Sequence, residues 1–342
     1  MTLSRHRVAD ILADPFGELR PPGPLLRLRL LGGDFEFESN SAQLMRLVRW
    51  AYANLPRHKL PPATPHFKIR LALAPRPRTA RQDAVPRIEM LSGASFLGAT
   101  TSASNFVTLS VLQRAGLVIV SRAMLRSPYH VRYEMLEFAV FTLAARVQWL
   151  VPLHAACVGQ RGRGLLLMGP SGAGKSTASL QCLLHGLEFV AEDSVFVAPD
   201  SMLATGVANF LHVRRDALRF VPDACAALIR RSPVIRRRSG AEKFEVDLRQ
   251  AEFPLAPRPL GIVGCVFMTE QTAGHRPLVA PLRRAELLAR LEASQPYAAN
   301  HVGWTAFRKR LASLPAFELR RGTHPSEAAA GLCDLLAACA DP

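Results

Sequence analysis

Alternating and helical patterns of apolar residues divide the chain near residue 128. Residues 25–31 and 34–38 are two short alternating runs around Gly32 and Gly33, a spacing that predicts a β-hairpin. Ser41 precedes apolar positions at Leu44, Leu47, Val48 and Ala51, so a capped amphipathic helix is expected, ending before Pro56. Pro61, Pro62 and Pro65 break the pattern. Residues 66–72, 87–91, 106–109 and 117–121 then read as strands, and residues 129–148 have helical periodicity. The first 20 or so residues, ending at Arg20, Pro21, Pro22, Gly23 and Pro24, read as a poorly anchored arm. The expectation is a small α+β module over residues 1–128, with no motif tied to chemistry.

Beyond that point the pattern is that of an α/β unit, expected over residues 129–342. Residues 154–158 form a short apolar strand, residues 160–164 a turn, and residues 165–168 a fully apolar run suited to a central buried strand. A helix over residues 175–184 stops at His185 and Gly186. Residues 188–191 read as the next strand, expected beside the strand at 165–168. Residues 194–198 and 202–205 read as a hairpin, residues 246–248 and 260–268 as later strands, and residues 283–291, 304–314 and 325–339 as helices. The most apolar stretch, residues 135–158, is interrupted by Glu137 and Arg146, so it reads as a buried helix and strand rather than a membrane span.

Between the apolar strand and its helix lies Gly169-Pro170-Ser171-Gly172-Ala173-Gly174-Lys175-Ser176, which satisfies GxxxxGK[ST] in full. Glycines let successive backbone N–H groups curl inward around phosphate oxygens, and the helix N-terminus adds its positive end. Gly169, Ser171, Gly172, Ala173, Gly174, Lys175, Ser176 and Thr177 are therefore the expected phosphate-binding residues. Lys175 supplies a compact charge to the outer phosphates, and Ser176 a hydroxyl for Mg²⁺. Four fixed positions recur by chance in roughly one chain in a hundred of this length. The strand before and the helix after make the match far more specific than that.

Glu192 and Asp193 end the next strand, on the rim where the phosphates are expected. One carboxylate there can hold Mg²⁺ and the other can take a proton from an attacking hydroxyl. His154 lies on the strand preceding the phosphate-loop strand, where a satisfied core histidine is the competing reading. Further on, residues 239–247 follow a basic, proline-containing stretch. They read either as a solvated loop or as one that closes over the phosphates with Lys243 or Arg238. No NKxD-like guanine motif follows, which disfavours a GTPase switch.

Charge alters this picture little. The net charge is +16, from 43 Lys and Arg against 27 Asp and Glu. The arginines are spread along the whole chain, and the densest group, Arg230, Arg231, Arg236, Arg237 and Arg238, has no interleaved aromatics, so nucleic acid is disfavoured as a partner. The six cysteines are scattered without metal spacing. With no signal-like segment at the start of the chain, this reads as a reduced, cytoplasmic protein.

The run from His154 through Leu165–Thr177, His185-Gly186 and Phe189-Val190-Ala191-Glu192-Asp193-Ser194-Val195 resembles the catalytic domain of HPr kinase/phosphorylase, and most closely the HPr-kinase-related subfamily. The likeness is strong over about 45 residues and loose to about residue 270. It implies a P-loop kinase domain of the HPr kinase and phosphoenolpyruvate carboxykinase type, ATP and Mg²⁺ as cofactors, and phosphoryl transfer to a serine-type hydroxyl. It implies catalytic roles for Glu192, Asp193, Lys175 and His154, with the first carboxylate as general base and Asp193 beside Ser176 at the metal. The family has two aspartates where this chain has Glu192 and Asp193. Its usual N-terminal domain is not recognisable in residues 1–128, and the signature of phosphorolysis is missing, so a reverse reaction is unsupported. The acceptor is expected to be a peptide, a protein or a small hydroxylated molecule, with a homo-oligomer among the open assembly states. A nucleotide-binding regulator with little turnover and a nucleic-acid-dependent ATPase are the rival readings.

Overall fold

The computed structural model describes residues 23–74, 88–93, 96–102, 104–250 and 253–339. The N-terminal arm before residue 23 and the start of the strand expected at Arg87 lie outside the described residues.

The first half is a seven-stranded sheet and two helices. In chain order these are β1 (Leu25–Leu30), β2 (Gly33–Glu38), α1 (Ala42–Tyr52), β3 (His66–Leu73), β4 (Glu89–Gly93), β5 (Phe96–Ser102), β6 (Asn105–Ser110) and β7 (Ala115–Val120). The strand order is β1-β2-β3-β7-β6-β5-β4, parallel at β2–β3 and β3–β7 and antiparallel elsewhere. The first hairpin turns at Leu31 and Gly32, one residue earlier than the glycine pair suggested. Both residues have positive φ, 50° and 83°, as a tight hairpin turn requires. Ser41 caps α1 by accepting the Leu44 N–H at 3.3 Å. The helix buries Leu44, Met45, Leu47, Val48, Ala51 and Tyr52.

Helix α2 spans residues 128–148 in three parts: Pro128–His130, a π-helical turn Val131–Leu136, and Glu137–Gln148. Its buried Val131, Met135, Leu136, Ala139, Val140 and Leu143 share one core with Phe35, Phe37 and Phe67 of the first sheet. The π turn widens the helix where it faces the second half, a place such turns often mark as functional.

The second half begins with β8 (Val151–Leu153), β9 (Ala156–Gln160), β10 (Arg163–Met168), α3 (Lys175–Leu184), β11 (Glu188–Ala191), β12 (Val195–Ala198), β13 (Leu203–Gly206) and β14 (Phe210–Val213). It continues with α4 (Asp223–Arg231), β15 (Val234–Arg236), β16 (Glu242–Asp247), β17 (Leu260–Thr272), β18 (Val279–Pro281), α5 (Arg284–Ser294), α6 (Trp304–Leu311), β19 (Ala316–Arg321) and α7 (Pro325–Ala338). The main sheet runs β11-β9-β10-β17-β13-β12-β8, with β19 pairing both β17 and β18. Strand β10 is its centre: Leu165, Leu166, Leu167 and Met168 are fully buried. Each such side chain contributes roughly 1.5–3 kcal/mol over an exposed one. An aspartate at Leu166 would bury an unpaired charge and break the sheet.

The main sheet corrects one expectation. β11 is not beside β10, because β9 lies between them, antiparallel to both. Two antiparallel steps leave β11 parallel to β10, so the chain still leaves both strands at one rim. A separate three-stranded sheet, β14-β16-β15, stands over that rim. It includes strand residues 242–247, which the sequence suggested as part of a loop over 239–247, with a strand only at 246–248. Among the described residues no helix is long and apolar enough to cross a membrane, and the six cysteines are free.

Candidate functional site

At the end of β10 the chain turns through Gly169, Gly172 and Gly174, with φ of 147°, 91° and 100°. Side chains are strained in this region, and a Cβ on Gly169 would also lie 2.6 Å from the Met268 carbonyl oxygen. The loop then feeds directly into α3 at Lys175. Ser171, Gly172, Ala173, Gly174, Lys175, Ser176 and Thr177 line a cavity of about 870 Å³ that extends to Phe220 and His324. Gly169 lies beneath that lining. The Lys175 ammonium folds back along the loop and donates to the carbonyls of Gly169 at 2.8 Å and Pro170 at 3.3 Å. The residue is 6% exposed, and no carboxylate among the described residues pairs with it within salt-bridge distance. Burial lowers its pKa, while Asp193 and Glu192 oppose that shift.

Glu192 and Asp193 follow β11 on the same rim but face different ways. Glu192 is buried: its Oε1 accepts the Ser176 hydroxyl, and its Oε2 accepts the His212 backbone N–H at 2.9 Å. Asp193 borders the cavity and accepts from Arg237 Nη2 at 2.8 Å. Burial raises the Asp193 carboxyl, but the charge and hydrogen bond of Arg237 outweigh it. With His154 and His212 they hold its pKa below the ordinary value.

His154 is exposed and lines the same cavity, from the bend between β8 and β9. Its backbone is clamped by a buried amide: His154 N–H donates to Gln295 Oε1 at 2.8 Å, and Gln295 Nε2 donates back to His154 O at 3.1 Å. Gln295 sits just past the end of α5, where no motif signalled it.

The β15–β16 hairpin brings the cations. Lys243 lines the cavity as the sequence suggested, but Arg238 turns away to Glu134. Arg237 is the arginine that reaches an acid of the pair. Burial lowers the Lys243 pKa, only partly offset by Glu192 and Asp193. His212, on β14, lies at the centre of a buried polar chain. Its Nδ1 is 3.5 Å from Glu192 Oε2 and 3.1 Å from Arg237 Nη2, and its Nε2 is 3.7 Å from Glu245 Oε1. Burial disfavours the imidazolium, but hydrogen bonds and charge from Glu192 and Glu245 outweigh it and raise the pKa. Glu245 in turn pairs with Arg132 of α2 at 2.6 Å, both side chains being 1% exposed. The Arg132 guanidinium stacks 3.9 Å from the Trp50 ring centre and 4.7 Å from that of Phe210.

These residues suit a magnesium polyphosphate. A glycine loop and helix N-terminus surround an unpaired lysine. Beside them lie the hard oxygen donors of Ser176 and Glu192. Ligand atoms of Glu192, Asp193 and His212 fall within 4.8 Å of one another. Sequence reasoning missed His212, Arg237, Glu245, Arg132 and Gln295. A polar His212 inside the apolar run Phe210–Val213 was the one local signal.

No family model matches the chain, and no curated protein matches it. Among solved structures it is similar to the HPr(Ser) kinase/phosphatase from Coxiella burnetii, at 12% identity, over 55% of this chain and 93% of that one, with a TM-score of 0.25. That score is too low to carry an argument.

Proposed function

We propose that the chain is an ATP-dependent P-loop kinase that transfers the γ-phosphoryl group to a serine-type hydroxyl. The observation that carries this reading is the direct contact of Ser176 with Glu192 beneath the phosphate loop, with Asp193 left at the mouth of the cavity. In it, residues 129–342 form the kinase unit, residues 1–128 bear on the choice of acceptor through α2, which shares their core, and the setting is cytoplasmic.

Lys175 leaves the carbonyls of Gly169 and Pro170 and donates to the outer phosphate oxygens, which repay the desolvation that lowers its pKa. Ser176 and Glu192 would hold a magnesium ion, which would supply charge neutralisation on the phosphates. This exchanges the roles implied by the family resemblance, since Glu192 is the acid bonded to Ser176 and Asp193 is the acid open to an acceptor. Asp193 takes the acceptor's proton as its oxygen attacks phosphorus. Arg237 and Lys243 spread charge in the transition state. His154, held by Gln295, stabilises the Asp193 carboxylate.

The test is transfer of labelled γ-phosphate from ATP to hydroxyl acceptors and to water. Asp193→Asn should keep nucleotide binding and lose about 10²–10⁴-fold in transfer. A wild-type protein that fails to bind ATP sinks the proposal. One that binds ATP but transfers to nothing, water included, favours a nucleotide-binding regulator acting through a partner. The bridge that keeps Arg237 on Asp193 is the observation on that side.

A further inference from the structure

A second cavity, of about 510 Å³, opens on the other side of the acid pair. It shares Asp193, Ser171, Arg237 and Ser239 with the nucleotide cavity, so the two meet at the proposed base. Its volume is ordinary for a small-molecule site. Its walls include Tyr129, Tyr133, Phe141 and Phe210, and Glu137 lies on it at the junction of the π turn with the rest of α2. The rings of Tyr129 and Tyr133 stand 4.5 Å apart, tilted by 38°.

The charges on this wall are mostly balanced already. Arg237 is bridged to Asp193, and Arg238 to Glu134. Glu137 is different: it receives no hydrogen bond and forms no ion pair with any described residue. Burial pushes its carboxyl up to about 8; His212 and Arg132 favour the anion, while Asp193 and Glu245 oppose it. A half-buried carboxyl on the cavity wall with no ion-pair partner among the described residues, beside two tyrosine rings, matches a ligand cation.

We propose that this second cavity is the acceptor site and that the acceptor is a small alcohol bearing an ammonium group. The ammonium rests against Tyr129, Tyr133 and Glu137, and the hydroxyl turns to Asp193. The inference rests on the kinase reading and adds its substrate class. In the step, the hydroxyl oxygen forms a bond to the γ-phosphorus, the bond from that phosphorus to the bridging β–γ oxygen breaks, and ADP leaves. The hydroxyl proton passes to the Asp193 carboxylate. Binding the ammonium favours the Glu137 carboxylate, so a proton is released as the acceptor enters at neutral pH.

Serinol and glycerol separate the two halves of the claim, because they are alike in size and differ in one ammonium. Phosphoryl transfer from MgATP to each is measured with the full chain, alongside MgADP binding. The expected result is a kcat/KM for serinol about 30-fold above that for glycerol, carried mainly by KM. In Glu137→Gln the serinol-to-glycerol ratio should fall to about three or less. Tyr133→Leu should lower it as well. A ratio taken within one preparation does not depend on the fraction folded, and the wild-type ratio stands if a variant fails to fold. Equal use of both alcohols overturns the proposal. So does transfer only to a serine-containing peptide, with MgADP binding intact, which leaves the kinase reading standing. Absence of MgADP binding by the wild type removes both.

Discussion

Replacing Arg132 by methionine should destabilise the protein far more than a surface arginine would. Its guanidinium is 1% exposed, bonds Glu245 at 2.6 Å, and stacks on Trp50 and Phe210. Methionine keeps much of the apolar contact with the two rings but leaves the Glu245 carboxylate buried, with the His212 ring 3.7 Å away. Removing one member of a buried pair costs about 3–5 kcal/mol, because the other charge is stranded. Taking about 4 kcal/mol, and an unfolding entropy of about 2.1 cal/mol/K per residue, the melting temperature should drop by roughly 6 °C if the chain melts as one unit. Denaturant unfolding of Arg132→Met, Glu245→Leu and the double variant is the assay. The double variant should be more stable than Arg132→Met alone, since it removes the stranded charge. The sign with pH follows from Glu245, whose pKa burial raises but His212 and Arg132 lower further. A depressed carboxylate stabilises the fold above its unfolded pKa, and that contribution is lost as pH falls through the folded value. The gap between wild type and Arg132→Met should therefore narrow below the ordinary carboxylate range. A cost under about 1 kcal/mol for Arg132→Met, or a double variant worse than the sum of the singles, refutes the reasoning.

Further outcomes concern the site. Glu192→Gln should raise the Mg²⁺ concentration needed for nucleotide binding by about tenfold or more, whereas Asp193→Asn should leave it near wild type, as read by a fluorescent ATP analogue titrated with magnesium. The acid limb of the kcat/KM profile should lie below the ordinary aspartate range, because Arg237 overcomes burial in holding Asp193 ionised. Arg237→Ala should move that limb upward, and a profile unchanged by the substitution would count against Asp193 as the base. Gln295→Leu removes both bonds to the His154 backbone. It should lower kcat by roughly tenfold with little change in nucleotide affinity, measured by transfer and binding on one preparation.

What could be read from the chain was what local chemistry fixes. Ser41 and the apolar spacing after it place α1, and Lys175, which opens α3, lies where the glycine loop demands it. The position of β9 between β10 and β11 was not legible, because helix-linked strands are expected side by side and only pairing across the whole sheet decides otherwise. The basic cluster shows the same limit. Arg236, Arg237 and Arg238 are equivalent in composition, but β15 ends at Arg236 and the turn before β16 aims Arg237 at Asp193 and Arg238 at Glu134.

The proposed exchange of roles within the acid pair rests on side-chain length. Glu192 leaves β11 toward the interior, and its extra methylene lets one carboxylate span from the Ser176 hydroxyl to the His212 backbone N–H. A shorter aspartate at that position would have to give up one of those contacts. Past the end of β11 the chain bends at Glu192 and Asp193, and the Asp193 carboxylate lies with Arg237 at the junction of the two cavities. Glu192→Asp should therefore weaken magnesium-dependent nucleotide binding while sparing Asp193. If that variant instead lost transfer with magnesium dependence unchanged, the longer acid would be the proton acceptor after all.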